Sequence, residues 1–356
     1  MSSQWFHMLV LAVSLGFVAG CGSPPGPATA PGAKAPPAQV RLGYFANVTH
    51  AQALIGVARG DFQKALGNVP LKTRIFNAGP SAVEAIFADS LDITYIGPSP
   101  ALNAYVKSKG QAVRIVSGVS ANGVVIVARK DSGIARLEDL AGKRIATPQY
   151  GNTQDVSARH YVMTVLRQTL KEKGGTTEIQ PIANAEQLGL FKLGRLDAAW
   201  VPEPWGARLV READGVIIAE EKDLWPDKNF VVAVVLVSTK FLDQHPDEVQ
   251  ALLKAHVDIT NWINANREQA AELVNAQLQK ELGKGLKKEV LADAFSRLTF
   301  STDPFPRSIE LFAAWAYDLG FATEKPDING LVDLRLLEKA RGTVFQAVEK
   351  HGDKAP

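Results

Sequence analysis

The sequence predicts an α/β protein built of two similar units. Three observations carry this. From Val40 onward short strand-like runs alternate with helix-spaced apolar positions, and a second such series begins at Gly123. One passage, a helix leading through Leu-Asp into a strand that stops at a helix-opening turn, occurs once in each series. Strands alternating with helices imply a parallel sheet with both faces covered.

In the first unit Val40 to Phe45 reads as a strand, and His50 to Leu66 as a helix with apolar positions at Ala53, Leu54, Val57, Ala58 and Phe62. Leu71 to Phe76 is a second strand, Ser81 to Ala88 a helix, Asp92 to Ile96 a strand, Ala101 to Lys107 a helix and Val113 to Ser117 a strand. The second unit reads as strands at Val124 to Arg129 and Lys143 to Thr147, a helix from Thr153 to Leu170, and a strand from Glu178 to Ile182. A helix from Ala185 to Leu193 follows, then strands at Asp197 to Val201, Val216 to Ala219 and Phe230 to Val237. From Pro246 onward the pattern is mostly helical, with Val249, Leu252, Leu253, His256, Ile259 and Ile263 on one face. Pro246 suits the first turn of that helix.

The repeated passage pairs Leu91-Asp92, before a strand ending at Gly97-Pro98, with Leu196-Asp197, before a strand ending at Pro202. In open α/β sheets ligands bind beyond the carboxyl ends of the strands. Two facing lobes would place these ends across a shared cleft.

The amino-terminal region has a different character. Cys21 is the one cysteine in 356 residues and directly follows Val18-Ala19-Gly20, at the end of an apolar run from Met8 to Ala19. As a helix that run would be about 18 Å long, short of the roughly 30 Å hydrocarbon core, so it reads as the apolar region of an export signal. The small residues before Cys21 resemble a lipobox, in which the thiol receives a lipid; the leader MSSQWFH lacks the Lys or Arg usual in such signals. Residues 22–38, with six prolines and five alanines, form a tether that in polyproline II reaches about 50 Å. With no second cysteine for a disulfide, the fold rests on burial, for which a chain 46% hydrophobic is sufficient.

The charge balance, 39 basic against 37 acidic residues without a stripe of one sign, argues against a nucleic-acid partner. Enzyme signatures are also missing: the six histidines form no His-Glu-x-x-His pair, and there is no Gly-x-Ser-x-Gly elbow or Walker-type phosphate loop. A surface interaction protein, displayed on its tether, is a third class.

Four segments in order carry a specific likeness: VRLGYFANVTHAQALIGVARGDF, DITYIGPSPALNAY, RLEDLAGKRIATPQYGNTQDVSARHYV and LDAAWVPEPWGARLV. Over Val40 to Phe345 the chain resembles the nitrate, taurine and aliphatic-sulfonate class of ABC-transporter substrate-binding proteins. The resemblance implies a two-lobed type II periplasmic-binding-protein fold with an interlobe cleft. It also implies a non-enzymatic receptor, needing no cofactor or metal, that closes by hinge motion on a small anion and hands it to a permease and its ATPase. The expected organisation is a signal peptide at 1–20, a tether at 21–38, lobe I at 39–120, lobe II at 121–237, a mostly helical return to lobe I at 238–345 and a tail at 346–356. The protein is expected to be a monomer, exported and lipid-anchored through Cys21, facing the periplasm or the cell exterior.

Given that class, five places are candidate contacts. Asn47, Thr49, His50 and Gln52 lie where helix N–H groups and the positive dipole end favour an anion, although Thr49 also reads as a plain cap and His50 as a packing residue. Gly97 and Ser99 flank Pro98, glycine allowing close approach and Ser99 donating, or simply capping. Ser120 and Asn122 lie where the chain passes to the second lobe, with Gly118 and Gly123 as hinge candidates. Asn152, Thr153 and Gln154 open the next helix, whereas Asp155 reads as serving that helix's own first turn. Trp200, Glu203 and Trp205 put two aromatics beside a carboxylate. In a sulfonate binder a ring would cover an alkyl stem and Glu203 would pair with an ammonium; the other reading of Glu203 is a helix cap. The expected ligand is a sulfonate or taurine-like anion, with nitrate, a phosphonate or a thiamine-pyrimidine precursor as alternatives. The lack of a basic cluster leans toward a singly charged one. The related thiamine-pyrimidine biosynthetic enzyme uses a cysteine-rich iron site, for which this chain has too few cysteines.

Overall fold

A computed structural model describes residues 36–322 and 324–342. Cys21, the signal-peptide stretch, most of the tether and the tail lie outside the described residues. Eleven strands are present there: β1 Val40–Phe45, β2 Leu71–Phe76, β3 Ile93–Ile96, β4 Val113–Asn122, β5 Val124–Arg129, β6 Arg144–Thr147, β7 Glu178–Pro181, β8 Ala198–Pro202, β9 Gly215–Glu220, β10 Val231–Ser238 and β11 Leu298–Phe300. They form a six-stranded sheet in the order β11-β4-β10-β3-β1-β2 and a five-stranded sheet in the order β7-β6-β8-β5-β9.

Both sheets are mixed rather than purely parallel. β1 runs parallel to β2 and β3, and β6 parallel to β7 and β8, but β10 is antiparallel to β3 and β4, β11 to β4, and β5 to β8 and β9. The cause lies in the connections. A crossover helix returns the chain to run in the same sense, whereas here the chain passes from sheet to sheet without a crossover α-helix at two places, so the arriving strand opposes its neighbours. The first crossing is Gly123 alone, between β4 and β5, with Asn122 and Gly123 at φ +64° and +66°. Asparagine and glycine are the residues that tolerate this left-handed backbone. The second crossing runs from β9 to β10, and Phe230 ties it to the first: Asn122 N donates to Phe230 O at 3.0 Å and Phe230 N to Asn122 Oδ1 at 3.3 Å. The sequence reading puts the Phe230 to Val237 strand at the end of lobe II, but β10 lies inside the first sheet. An apolar run shows that a strand is buried, not which sheet buries it.

The repeated Leu-Asp passage has a common physical role. Asp92, just before β3, accepts from Arg41 N at 2.8 Å and Arg41 Nε at 2.9 Å on neighbouring β1. Asp197, just before β8, accepts from Arg144 N at 2.9 Å and Arg144 Nε at 2.9 Å on neighbouring β6. Each carboxylate therefore clamps the start of one parallel strand to the next and fixes the register in which both strands end.

The helix expected from Thr153 to Leu170 ends earlier. It is α-helical over Thr153–His160, widens into a π turn at Tyr161–Val165, and stops before Arg167, whose φ is +53°. Within that turn the Thr164 hydroxyl donates back to the His160 carbonyl, a bond that often bends helices. The 20-residue helix Pro246–Ala265 buries Val249, Leu252, Leu253, His256, Ile259 and Ile263, the stripe expected from spacing. β11, three residues long, was not legible.

Candidate functional site

Every parallel strand of both sheets ends at one pocket. Beyond β1 it is lined by Asn47, Thr49 and His50, beyond β2 by Asn77, Ala78 and Gly79, and beyond β3 by Gly97 and Pro100. From the second sheet come Pro148, Asn152, Thr153 and Gln154 beyond β6, Asn184 beyond β7 and Pro202 at the end of β8. Phe45 and Val232 complete the wall.

Four of these groups open helices of eight residues or more: Gly79–Phe87, Pro98–Lys107, Thr153–His160 and Asn184–Lys192. A fifth, the turn Val48–His50, runs directly into helix Ala51–Arg59. Each helix start carries unpaired N–H groups and about half a positive charge. Five starts on one cavity build a positive potential without a cation, and the lining indeed carries no ionised side chain.

The polar side chains are set as donors by their own partners. His50 Nδ1 accepts from Phe45 N at 3.0 Å, which leaves the proton on Nε2. Burial pushes its pKa down to about 3, so the ring is neutral at physiological pH. Asn47 Oδ1 accepts from Trp205 Nε1 at 3.0 Å, Asn152 Oδ1 from Asp155 N at 2.8 Å and Gln154 Oε1 from Asn152 Nδ2 at 3.0 Å. With those oxygens engaged, the NH2 groups of Asn47 and Gln154 are what these residues have to offer a ligand. Thr153 Oγ1 is buried with no partner in the protein. The acid nearest this group is held behind it: Asp155 accepts from Thr147 Oγ1 at 2.8 Å, Gly151 N at 2.9 Å and Arg159 Nε at 2.8 Å.

Of the residues singled out on sequence, Asn47, Thr49, His50, Gly97, Asn152, Thr153 and Gln154 line the pocket together. The others do not. Gln52 is fully buried and donates to Val119 O at 2.7 Å and Thr260 Oγ1 at 3.2 Å. Ser120 Oγ donates to Thr49 O at 2.7 Å, supporting the loop from behind, and Asn122 belongs to the crossing. Ser99, the second residue of its helix, is buried with no partner for its hydroxyl and lies off the lining. Trp200 Nε1 donates to Glu221 Oε2 at 2.5 Å within the core. Trp205 meets the site through Asn47 alone among the lining residues to which it is hydrogen-bonded. Glu203 is fully buried, accepts from Ala207 N at 2.9 Å at the start of helix Trp205–Ala213 and pairs with Arg297 Nη1 at 2.7 Å. Its cap role holds, and its carboxylate is taken.

Asn77 to Gly79 and Asn184 were not anticipated. The signal was present: an asparagine lies within two residues of the end of a predicted strand in Phe76-Asn77 and Ile182-Ala183-Asn184, as Asn47 does after Phe45.

Two lobes with a donor-lined pocket between them define a binding protein of the periplasmic-binding-protein fold. Solved structures share that fold. The alkanesulfonate-binding protein SsuA from Xanthomonas axonopodis pv. citri, bound to MOPS, matches with a TM-score of 0.69 at 20% identity, covering 84% of this chain and 99% of that one. The periplasmic nitrate-binding protein NrtA from Synechocystis PCC 6803 matches at 0.68 and 15% identity, covering 86% and 88%. The chain belongs to the NMT1-like family, whose profile matches residues 33–277. A putative aliphatic sulfonates-binding protein of Bacillus subtilis (strain 168) is 26% identical over 345 residues, 94% of this chain and 96% of that protein. The taurine-binding periplasmic protein of Escherichia coli (strain K12) is 27% identical over 214 residues, 60% and 63% of the two chains.

Proposed function

We propose that this protein is the exported solute receptor of an ABC importer, that it binds a singly charged organic sulfonate between its lobes, and that it delivers this to a permease. The observation that carries the reading is the convergence of five helix starts on a pocket with no ionised side chain. Neutral donors satisfy a monoanion at no cost of burying a counter-charge, while a phosphonate dianion calls for Arg or Lys. The putative aliphatic sulfonates-binding protein and the taurine-binding periplasmic protein among its relatives support the class. Between these two, the engagement of Glu203 with Arg297 and Ala207 favours an aliphatic sulfonate, since no lining carboxylate remains for the taurine ammonium.

A small inorganic anion such as nitrate is a second reading, favoured by the small cavity of about 30 Å³, enough for about two waters or an anionic head group. Contact with the membrane is proposed through a lipid on Cys21. Calorimetric titration of the purified protein with butanesulfonate, taurine, nitrate and methylphosphonate tests the reading. Micromolar or tighter binding of butanesulfonate, with methylphosphonate weak, is expected; preference for methylphosphonate or silence across the panel refutes it.

A further inference from the structure

Gly97 is a glycine for which its own lobe gives no reason. Its backbone, φ −71° and ψ 154°, is ordinary extended geometry that any residue adopts. A Cβ built there meets Pro100 Cδ of the same lobe at 3.6 Å, a normal contact. It meets Thr153 of the other lobe at 2.2 Å from Oγ1 and 3.4 Å from Cβ. The space a side chain would fill is taken only by the opposite lobe's hydroxyl.

We propose that Gly97 and Thr153 form the closure stop of the cleft, the bare backbone at 97 setting how far the lobes approach and so how tightly the two sets of donors grip one anion. This deepens the receptor reading and rests on it for the identity of the ligand. Gly97 follows β3 and Thr153 follows β6, and both line the pocket. The contact is therefore made across the ligand's own position. Adding one methyl at 97 requires Thr153 to withdraw by about 1 Å to reach ordinary contact distance. Hydrogen bonds lengthened by that amount fall outside their effective range, so His50 and Asn47 on one side and Gln154 on the other can no longer reach the same group. The Asn47–Trp205 bond, which spans the same cleft at 3.0 Å, opens with them.

The clash also specifies its own rescue. Thr153→Ala removes Oγ1 and leaves the 3.4 Å contact, so Gly97→Ala is harmful beside threonine and harmless beside alanine.

The test has two arms. In the first, no ligand is added. Asn47→Cys and Trp205→Cys are placed in a Cys21→Ser background, and the rate of bridging by a short bis-methanethiosulfonate cross-linker, each end of which forms a disulfide with a cysteine and releases methanesulfinate, is measured as the lobes close spontaneously. Gly97→Ala is expected to slow bridging about fivefold or more and Gly97→Ala with Thr153→Ala to return to the Thr153→Ala rate. In the second arm, on the chain without those cysteines, butanesulfonate affinity falls about tenfold or more in Gly97→Ala, with an unchanged melting curve, and the double variant matches Thr153→Ala. Equal bridging rates in all backgrounds mean that Thr153 turns aside at no cost, which overturns the proposal. So does multiplication of the two single effects in the double variant. If the unmodified protein ignores butanesulfonate, the ligand reading fails while the bridging arm still decides the stop.

Discussion

Replacing Arg297 by methionine tests whether Glu203 belongs to the scaffold or to the ligand. Glu203 is fully buried and has two partners, the Arg297 guanidinium at 2.7 Å and the Ala207 N–H at 2.9 Å. Removing the arginine leaves one backbone donor on a buried carboxylate. Breaking a buried pair from one side costs about 3–5 kcal/mol, and the retained N–H together with the partly exposed position of Arg297, 19% accessible, puts the expected loss near the lower end, about 3 kcal/mol. For comparison, the exposed pair Lys254–Asp258, 56% and 59% accessible, is worth about 0–1 kcal/mol. Equilibrium urea unfolding reads the difference directly. The double variant Glu203→Gln with Arg297→Met recovers much of the loss, because no charge is then left unpaired. Affinity for butanesulfonate measured on Glu203→Gln stays within about twofold of the parent, since Glu203 is not among the residues that line the pocket. A loss below about 1 kcal/mol in Arg297→Met, or a Glu203→Gln protein of normal stability that no longer discriminates among sulfonates, would refute this assignment.

Three further outcomes are expected. Thr153→Ala removes an unpartnered hydroxyl from the pocket and weakens butanesulfonate binding by about 0.5–3 kcal/mol by calorimetry, with the melting curve unchanged. Burial pushes the Glu221 carboxyl up to about 7, against the indole donors of Trp200 and Trp225. The folded state then holds a proton that the unfolded state releases above the ordinary glutamate range. This stabilisation is complete below that range and is lost as pH rises through about 7, so unfolding free energy measured from pH 4.5 to 8 declines by a few kcal/mol more in the parent than in Glu221→Gln; parallel profiles contradict it. Cys21→Ser releases the protein from the membrane fraction of cells that express it, and persistent membrane association rules out the lipid anchor.

What could be read in the sequence divides along a physical line. Residues whose role follows from local chain geometry were legible. Asn47, Gly97 and Asn152–Gln154 each sit where a strand gives way to a helix, and that junction is an anion site through backbone N–H groups whatever the distant fold does. The Leu-Asp repeat was legible for the same reason, because its aspartates act on the neighbouring strand of their own unit. Illegible were the residues whose polar atoms are claimed from far along the chain. Gln52 is engaged by Val119 and Thr260, Ser120 by Thr49 and Glu203 by Arg297, partners at least 67 residues away. Composition beside a tryptophan cannot show that a glutamate is already paired. The mixed sheets escaped for a related reason: the directions of β5 and β10 are set by the two crossings between the sheets, and Asn122-Gly123 reads equally as a loop until β4 and β5 are seen to continue on either side of it.

The central claim is that neutral donors from both lobes hold the anion. The most direct measurement is a crystal structure of the butanesulfonate complex. The claim predicts sulfonate oxygens within about 3.2 Å of His50 Nε2 and of donors at Asn152 to Gln154, with no Lys or Arg in contact. A sulfonate seated on an arginine or lysine, or touching one lobe only, would contradict it.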